Sequence, residues 1–224
     1  MNSTLSVIVP SRTMSNLIPC VQAVTHLDEC DVIVVWDRSR GNDWAPPSAA
    51  YRVREVEQEF IYARNCNTGI ISAGDNDVIL LNDDALLETA GGFSALQAWA
   101  KQCPEFGIIG AVTNVTGQPL QRPLGHYCPG GPREVPHFAF VCVLIPRSTI
   151  NAVGLLDERY CLDYGVEDRD YCEMVRRAGL KCGVYDGCFV DHASLSSSYR
   201  GNPLASRSYA RNWELYCKKW GVPA

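Results

Sequence analysis

Continuous apolar runs alternate with amphipathic stretches along the chain. "LSVIVP" (5–10) is apolar but for Ser6 and rich in β-branched residues, as a strand buried on both faces requires. "NLIPCVQAV" (16–24) reads as a helix with Pro19 in its first turn. "DVIVVW" (31–36) predicts a second buried strand, and "DRSRGNDWAPP" behind it a turn region. "YRVREV" (51–56) alternates, the pattern of a third strand. The helix-like "ARNCNTGIISAG" then leads to a strand over Val78–Leu81, "GGFSALQAWAKQ" (91–102) to a helix and "FGIIGAV" (106–112) to another strand. Buried strands separated by helices predict an α/β fold: a Rossmann-like, mainly parallel sheet with helices on both faces.

Residues 113–136, "TNVTGQPLQRPLGHYCPGGPREVP", are too long and too rich in Pro and Gly for an ordinary connection, and read either as a functional loop or flap or as a surface excursion. Beyond them, Tyr171, Met174, Val175 and Ala178 recur at helical spacing, with Gly179 suited to the C-cap. Arg176 and Arg177 fall in the last turn and Glu167, Asp168 and Asp170 at the start, each where the helix dipole favours its charge. Acidic residues there need no catalytic task. The dipole and free N–H groups favour an ionised Asp168. "KCGVYDGCFVDH" follows as a strand ending at Asp191-His192. No internal repeat or linker divides the chain, so residues 1–224 read as a single domain.

Composition narrows the classes. The 224 residues are 46% hydrophobic and 20% charged, enough for an ordinary globular core. A net charge of -5 gives no general electrostatic hold on nucleic acid or anionic membrane. No apolar segment approaches the ~20 residues of a membrane span, and "LSVIVP" is too short, and ended by Pro10, for a signal-type run. The eleven cysteines are odd in number and form no C-x-x-C pair, so neither a disulfide framework nor a zinc site is indicated. Several, such as Cys142 in "FAFVCVLIP", sit in apolar runs; they read as reduced, buried thiols of a cytoplasmic protein.

The chemistry concentrates in "DVILLNDDALLE" (77–88). Its apolar strand ends on Asn82, Asp83 and Asp84. Two adjacent carboxylates beside a core repel each other and resist burial, and a bound cation would offset both costs. In parallel α/β sheets ligands bind beyond the carboxyl ends of the strands, where Asp37, Asp83 and Asp84 all fall. No G-x-G-x-x-G follows the first strand, against a dinucleotide-binding oxidoreductase.

In order and spacing the sequence resembles family 2 glycosyltransferases, which have the GT-A fold. "SVIVPSR" resembles their first strand and nucleotide loop, "DVIVVWDRSRGND" their second strand with its base-binding Asp, and "NTGIISAGDNDVILLNDDALL" the run into the D-x-D motif. "FAFVCVLIPRSTINAVGLLDERY", "GVEDRDYCEMVRRAGLKC" and "RNWELYCKKWG" resemble the stretch before the catalytic helix, that helix and a common ending. The resemblance implies an inverting, metal-dependent transfer from a nucleoside-diphosphate sugar, a UDP-sugar first. Residues 1–112 would bind the nucleotide-sugar and 113–224 the acceptor: a glycan, a lipid-linked sugar or another macromolecule. Asp84 would ligate Mn or Mg, with His192 as a further ligand, and Asp83 would contact the ribose or metal-bound water. Pro10, Ser11 and Arg12 would line base and ribose, and Asp37 would accept from a nucleobase imide. Asp168 would be the general base and Glu167 would orient the site or the acceptor. The alternatives are a GT-A-like protein that binds nucleotide-sugar or glycan without turnover, and a nucleotidyltransferase. The latter needs a Gly-rich basic phosphate loop, which "VPSRTMSN" is not.

Overall fold

β1 (Leu5–Ser11), β2 (Asp31–Asp37), β3 (Arg52–Val56) and β4 (Asp77–Leu81) form a parallel array in which β1 lies between β2 and β4 and β3 lies outside β2. α1 (Met14–Leu27) and α2 (Tyr62–Ser72) make the crossovers that parallel neighbours require. The computed structural model of the protein describes residues 5–39, 48–124, 130–160, 165–197 and 205–223. Most of the turn expected over 37–47, the centre of the 113–136 segment, Tyr164 and the stretch after Ser197 lie outside them.

The remaining elements are β5 (Leu86–Leu87), α3 (Gly92–Gln102), β6 (Phe106–Thr113), β7 (Arg133–Val135), β8 (Cys142–Ile145), α4 (Arg147–Val153), α5 (Glu167–Arg177), β9 (Lys181–Asp191) and α6 (Ala205–Trp220). Among the described residues one sheet runs β3-β2-β1-β4-β8-β6-β9-β5, with β7 also paired to β9. From β4 onward it is mixed: β8 is antiparallel to β4 and β6, β6 is parallel to β9, and β5 and β7 are antiparallel to β9. Parallel pairing thus describes the first half of the sheet rather than all of it.

Alternation along β1 supplies both faces. Val7 and Val9 pack with Leu17 and Val21 of α1 and Phe93 and Leu96 of α3. Ile8 faces the other way, into a core with Ile70 of α2, Ile150 of α4 and Tyr171 and Val175 of α5. This two-sided burial is why β1, β2 and β4 are apolar almost without interruption. α1 begins two residues earlier than the apolar run suggests, with Thr13 at its N-cap, so Pro19 lies inside the helix rather than in its first turn. One interior helix hydrogen bond is forgone there.

α6 packs on the residues leading into α5 through a small cluster of Tyr160, Val166, Tyr216 and Cys217. Beside it the buried Asp170 carboxylate accepts from Lys219 Nζ (2.7 Å), Trp220 Nε1 (2.7 Å) and Tyr160 Oη (2.9 Å). Of the three acidic residues at the start of α5, Asp170 is therefore committed to holding α6. Among the described residues no helix is long and apolar enough to cross a membrane, and Cys20, Cys66, Cys142, Cys172, Cys182, Cys188 and Cys217 are buried free thiols.

Candidate active site

A cavity of about 330 Å³ opens at the carboxyl ends of β1 and β4, within the ~300–1,000 Å³ range of small-molecule sites. Pro10, Arg12, Asp83, Asp84, Glu167, Asp168 and His192 all line it. Asp37 and Ser11 are buried and do not.

The acidic pair sits on a turn. Ala85 N–H donates to Asn82 O (3.1 Å), and Asn82 N–H to Val141 O (3.0 Å), so the chain leaves β4 and reverses into β5. Asp83 Oδ2 accepts from Ser11 Oγ (2.6 Å) and Thr13 Oγ1 (3.3 Å). Ser11 therefore stands behind Asp83 and fixes its rotamer. Burial pushes the Asp83 carboxyl up to about 6, with the Asp84 charge adding to the rise and the Ser11 and Thr13 hydroxyls opposing it. The second carboxylate is thus a real cost, as the sequence implied.

Long-range pairing brings His192 to that pair. β5 runs antiparallel to β9 with Leu86 opposite Asp191, so the residues just before β5 face those just after β9. His192 Nε2 lies 3.0 Å from Asp84 Oδ1 and Nδ1 lies 2.8 Å from the Val115 carbonyl. Both ring nitrogens face acceptors, while a neutral imidazole has one N–H. With that N–H on Nδ1 and given to Val115, the Nε2 lone pair points at the carboxylate. An oriented imidazole of this kind beside a carboxylate suits a divalent cation, the carbonyl serving as outer support. Among the described residues no group of three or more His, Cys, Asp or Glu side chains gathers at one point. Asp84 and His192 would hold such an ion with ligand oxygens and water completing the shell, as Mg and Mn sites on phosphates commonly do.

The loop contributing Val115, Thr116, Gly117 and Gln118 to the cavity is anchored. Gln121, fully buried, accepts from Thr116 Oγ1 (3.0 Å) and Ala139 N–H (3.1 Å) and donates to the Ala111 (3.3 Å) and Ala139 (2.9 Å) carbonyls. Arg133 pairs with Asp186 (2.6 Å) and donates to the Leu120 and Arg122 carbonyls. These ties fasten the described parts of the 113–136 segment, residues 113–124 and 130–136, to the body of the fold.

Glu167 and Asp168 open α5 on the facing wall. Gly165 (φ 89°) and Val166 (φ 85°) both adopt left-handed backbone to turn the chain into the helix. For a β-branched residue this costs roughly 1–3 kcal/mol, and burial of the Val166 side chain against α6 helps to hold it. Both carboxylates are only partly exposed, at the cavity edge. Burial raises Glu167 to about 8, with the Asp168 charge adding to it. Burial also raises Asp168, to about 6, against the opposing Arg169 and Phe140 backbone N–H groups and the Arg169 charge. The helix start does donate to Asp168, through Arg169 N–H at 2.6 Å. Yet burial outweighs it, so the carboxyl moves up rather than down as its position in the helix predicts.

Toward the other end, the Arg12 guanidinium lies 4.7 Å from the centre of the Phe60 ring, and both line the cavity. Asp37 ends β2, where the register pairs Ser11 with Trp36, and its Oδ1 accepts from Ser39 N–H at 2.8 Å. It supports that turn from within. Phe60, Tyr62, Phe140 and Tyr209 also line the cavity and carry no spacing signal in the sequence.

No protein-family model and no curated protein matches the sequence. Solved structures match in shape. A structure of GalNAc-T7 with UDP, GalNAc and Mn2+ has a TM-score of 0.70 at 14% identity, over 94% of this chain and 47% of that one. The mannosyltransferase PcManGT from Pyrobaculum calidifontis, in complex with GDP-Man and Mn2+, has a TM-score of 0.65 at 17% identity, over 89% of this chain and 59% of that one. The chain thus spans about half to three fifths of the length of these proteins. At such identities the likeness defines the fold, and the fold is GT-A.

Proposed function

We propose that the chain is an inverting glycosyltransferase that moves a sugar from a nucleoside-diphosphate sugar, a UDP-sugar first, to an acceptor hydroxyl on a glycan, lipid-linked or other macromolecular acceptor. The observation that carries this reading is the single cavity shared by Asp84 with His192 on one wall and Glu167 with Asp168 on another. The UDP, GalNAc and Mn2+ in one similar structure and the GDP-Man and Mn2+ in the other support it, as does the resemblance to family 2. Residues 1–112 supply the donor side and 113–224 most of the acceptor side, with His192 crossing back. The buried free thiols suit a reducing, cytoplasmic setting.

Asp84 and His192 would hold a divalent ion, Mn favoured over Mg by the imidazole. When bound, the ion offsets the charge that builds on the departing diphosphate. Pro10 and Arg12 receive the base and ribose, with Asp37 and Ser11 supporting that wall from behind, and Asp83 faces the ribose side. Asp168 takes the proton of the acceptor hydroxyl as its oxygen bonds the anomeric carbon and the bond from that carbon to the diphosphate breaks. A single in-line displacement inverts the configuration. Burial favours one proton on the Glu167–Asp168 pair near neutral pH, and we assign it to Glu167, which leaves the charge on Asp168.

Asp168→Asn tests the assignment against a protein that only binds nucleotide-sugar. Transfer under saturating donor falls by a factor on the order of 10² or more, the scale of a lost general base, while UDP binding by calorimetry survives. Equal loss of both makes Asp168 structural, and loss of neither leaves the binding reading.

A further inference from the structure

Tyr209 is 42% exposed, and it lines the cavity beside Gly165, Glu167 and Asp168. Its ring is held flat against Trp213 (centroids 6.3 Å, planes 5° apart), which stacks on Tyr216 (5.2 Å, 16°). The three rings occupy positions i, i+4 and i+7 along one face of α6. The Arg169 guanidinium, 5.2 Å from the Trp213 ring centre, closes on the same stack. A Cβ on Gly165 would come within 3.1 Å of the Tyr209 ring, and the left-handed backbone there (φ 89°) independently selects glycine. The Cδ2 edge of the ring therefore abuts bare backbone two residues before Glu167.

We propose that Tyr209 is the acceptor platform and that the acceptor is a saccharide. A pyranose lays its C–H face on the ring and turns a hydroxyl toward Asp168; this rests on the transfer reading above. The wall selects the chemistry. Next to the ring stand the carboxyl groups of Glu167 and Asp168, which hydrogen-bond to hydroxyl groups. A sugar ring, with an apolar face and a hydroxyl rim, satisfies both surfaces.

The test uses the full chain with UDP and Mn2+ on an immobilised panel of mono- to tetrasaccharides spanning the common pyranose linkages. Wild type should bind at least one of these glycans. Tyr209→Ala should weaken that binding by roughly tenfold or more, the scale of one stacking contact and its buried area, and Tyr209→Trp should restore it. UDP calorimetry on the same samples reports folding and the donor site separately. Failure of wild type to bind any glycan, or equal binding by Tyr209→Ala, overturns the platform. Failure of wild type to bind UDP with Mn2+ counts against the transfer reading, and the panel still decides whether Tyr209 carries a saccharide.

Discussion

Replacing Glu167 by glutamine removes a charge that the folded chain resists. Its carboxyl rises from an ordinary 4.5 to about 8, chiefly because protein surrounds it and then because Asp168 is adjacent. A folded-state value above the unfolded one means that the native state binds the proton more tightly. The stability this provides is complete below pH ~4.5 and is lost as pH climbs through about 8. At about 1.4 kcal/mol per unit the ceiling is ~5 kcal/mol. Proton sharing with Asp168 and water reaching the pair through the cavity reduce this to roughly 1–2 kcal/mol by a conservative discount. Glutamine keeps the shape and cannot ionise. Glu167→Gln should therefore raise Tm at pH 8.5 by about 2–8 °C for a chain of this size and leave it nearly unchanged at pH 5. Thermal unfolding of both proteins across pH 5–8.5 measures this directly. An equal shift at both ends, or a lower Tm at pH 8.5, would show that the pair is not held against its charge. That result would also remove the reason for assigning the proton to Glu167 and the base to Asp168.

Asp84→Ala should abolish Mn-dependent UDP binding in calorimetry while the circular dichroism spectrum is retained; full UDP binding in excess chelator would refute the metal assignment. Gln121→Ala leaves the Ala139 N–H and the Ala111 and Ala139 carbonyls without their buried partner, and should cost roughly 2–4 kcal/mol in urea unfolding. The same variant should speed hydrogen exchange over 113–124, and unchanged exchange would mean that Gln121 does not anchor the loop. Gly110→Ala places a Cβ 2.5 Å from the Phe138 ring inside the core and should destabilise by about 1–3 kcal/mol, whereas a neutral result would show that Phe138 repacks freely.

Much of the architecture is written in local patterns. "LSVIVP", "DVIVVW" and "DVILL" are apolar but for Ser6, Asp31 and Asp77 because two helical layers cover them, and period and composition alone distinguish such strands from the amphipathic helices between them. Tertiary structure decided what depends on distant partners. The two-residue strand Leu86–Leu87 has no period to read, yet its pairing with β9 is what brings His192 to Asp84. Antiparallel β8 looks in sequence like any other buried strand, because direction is a property of the neighbour rather than of the strand. The start of α5 marks Asp168 as an acceptor of backbone N–H groups, but surrounding protein sets the direction of its proton affinity, and burial is a sum over the whole fold. Asp37 and Ser11 read in sequence as donor contacts, and only the fold shows that one bonds to Ser39 N–H and the other to Asp83, since a strand-end position does not say which way the side chain turns. Tyr209 carries no motif at all; only the docking of α6 on α5 lays its ring beside the two carboxylates, because helix packing joins residues some forty positions apart that no local pattern connects.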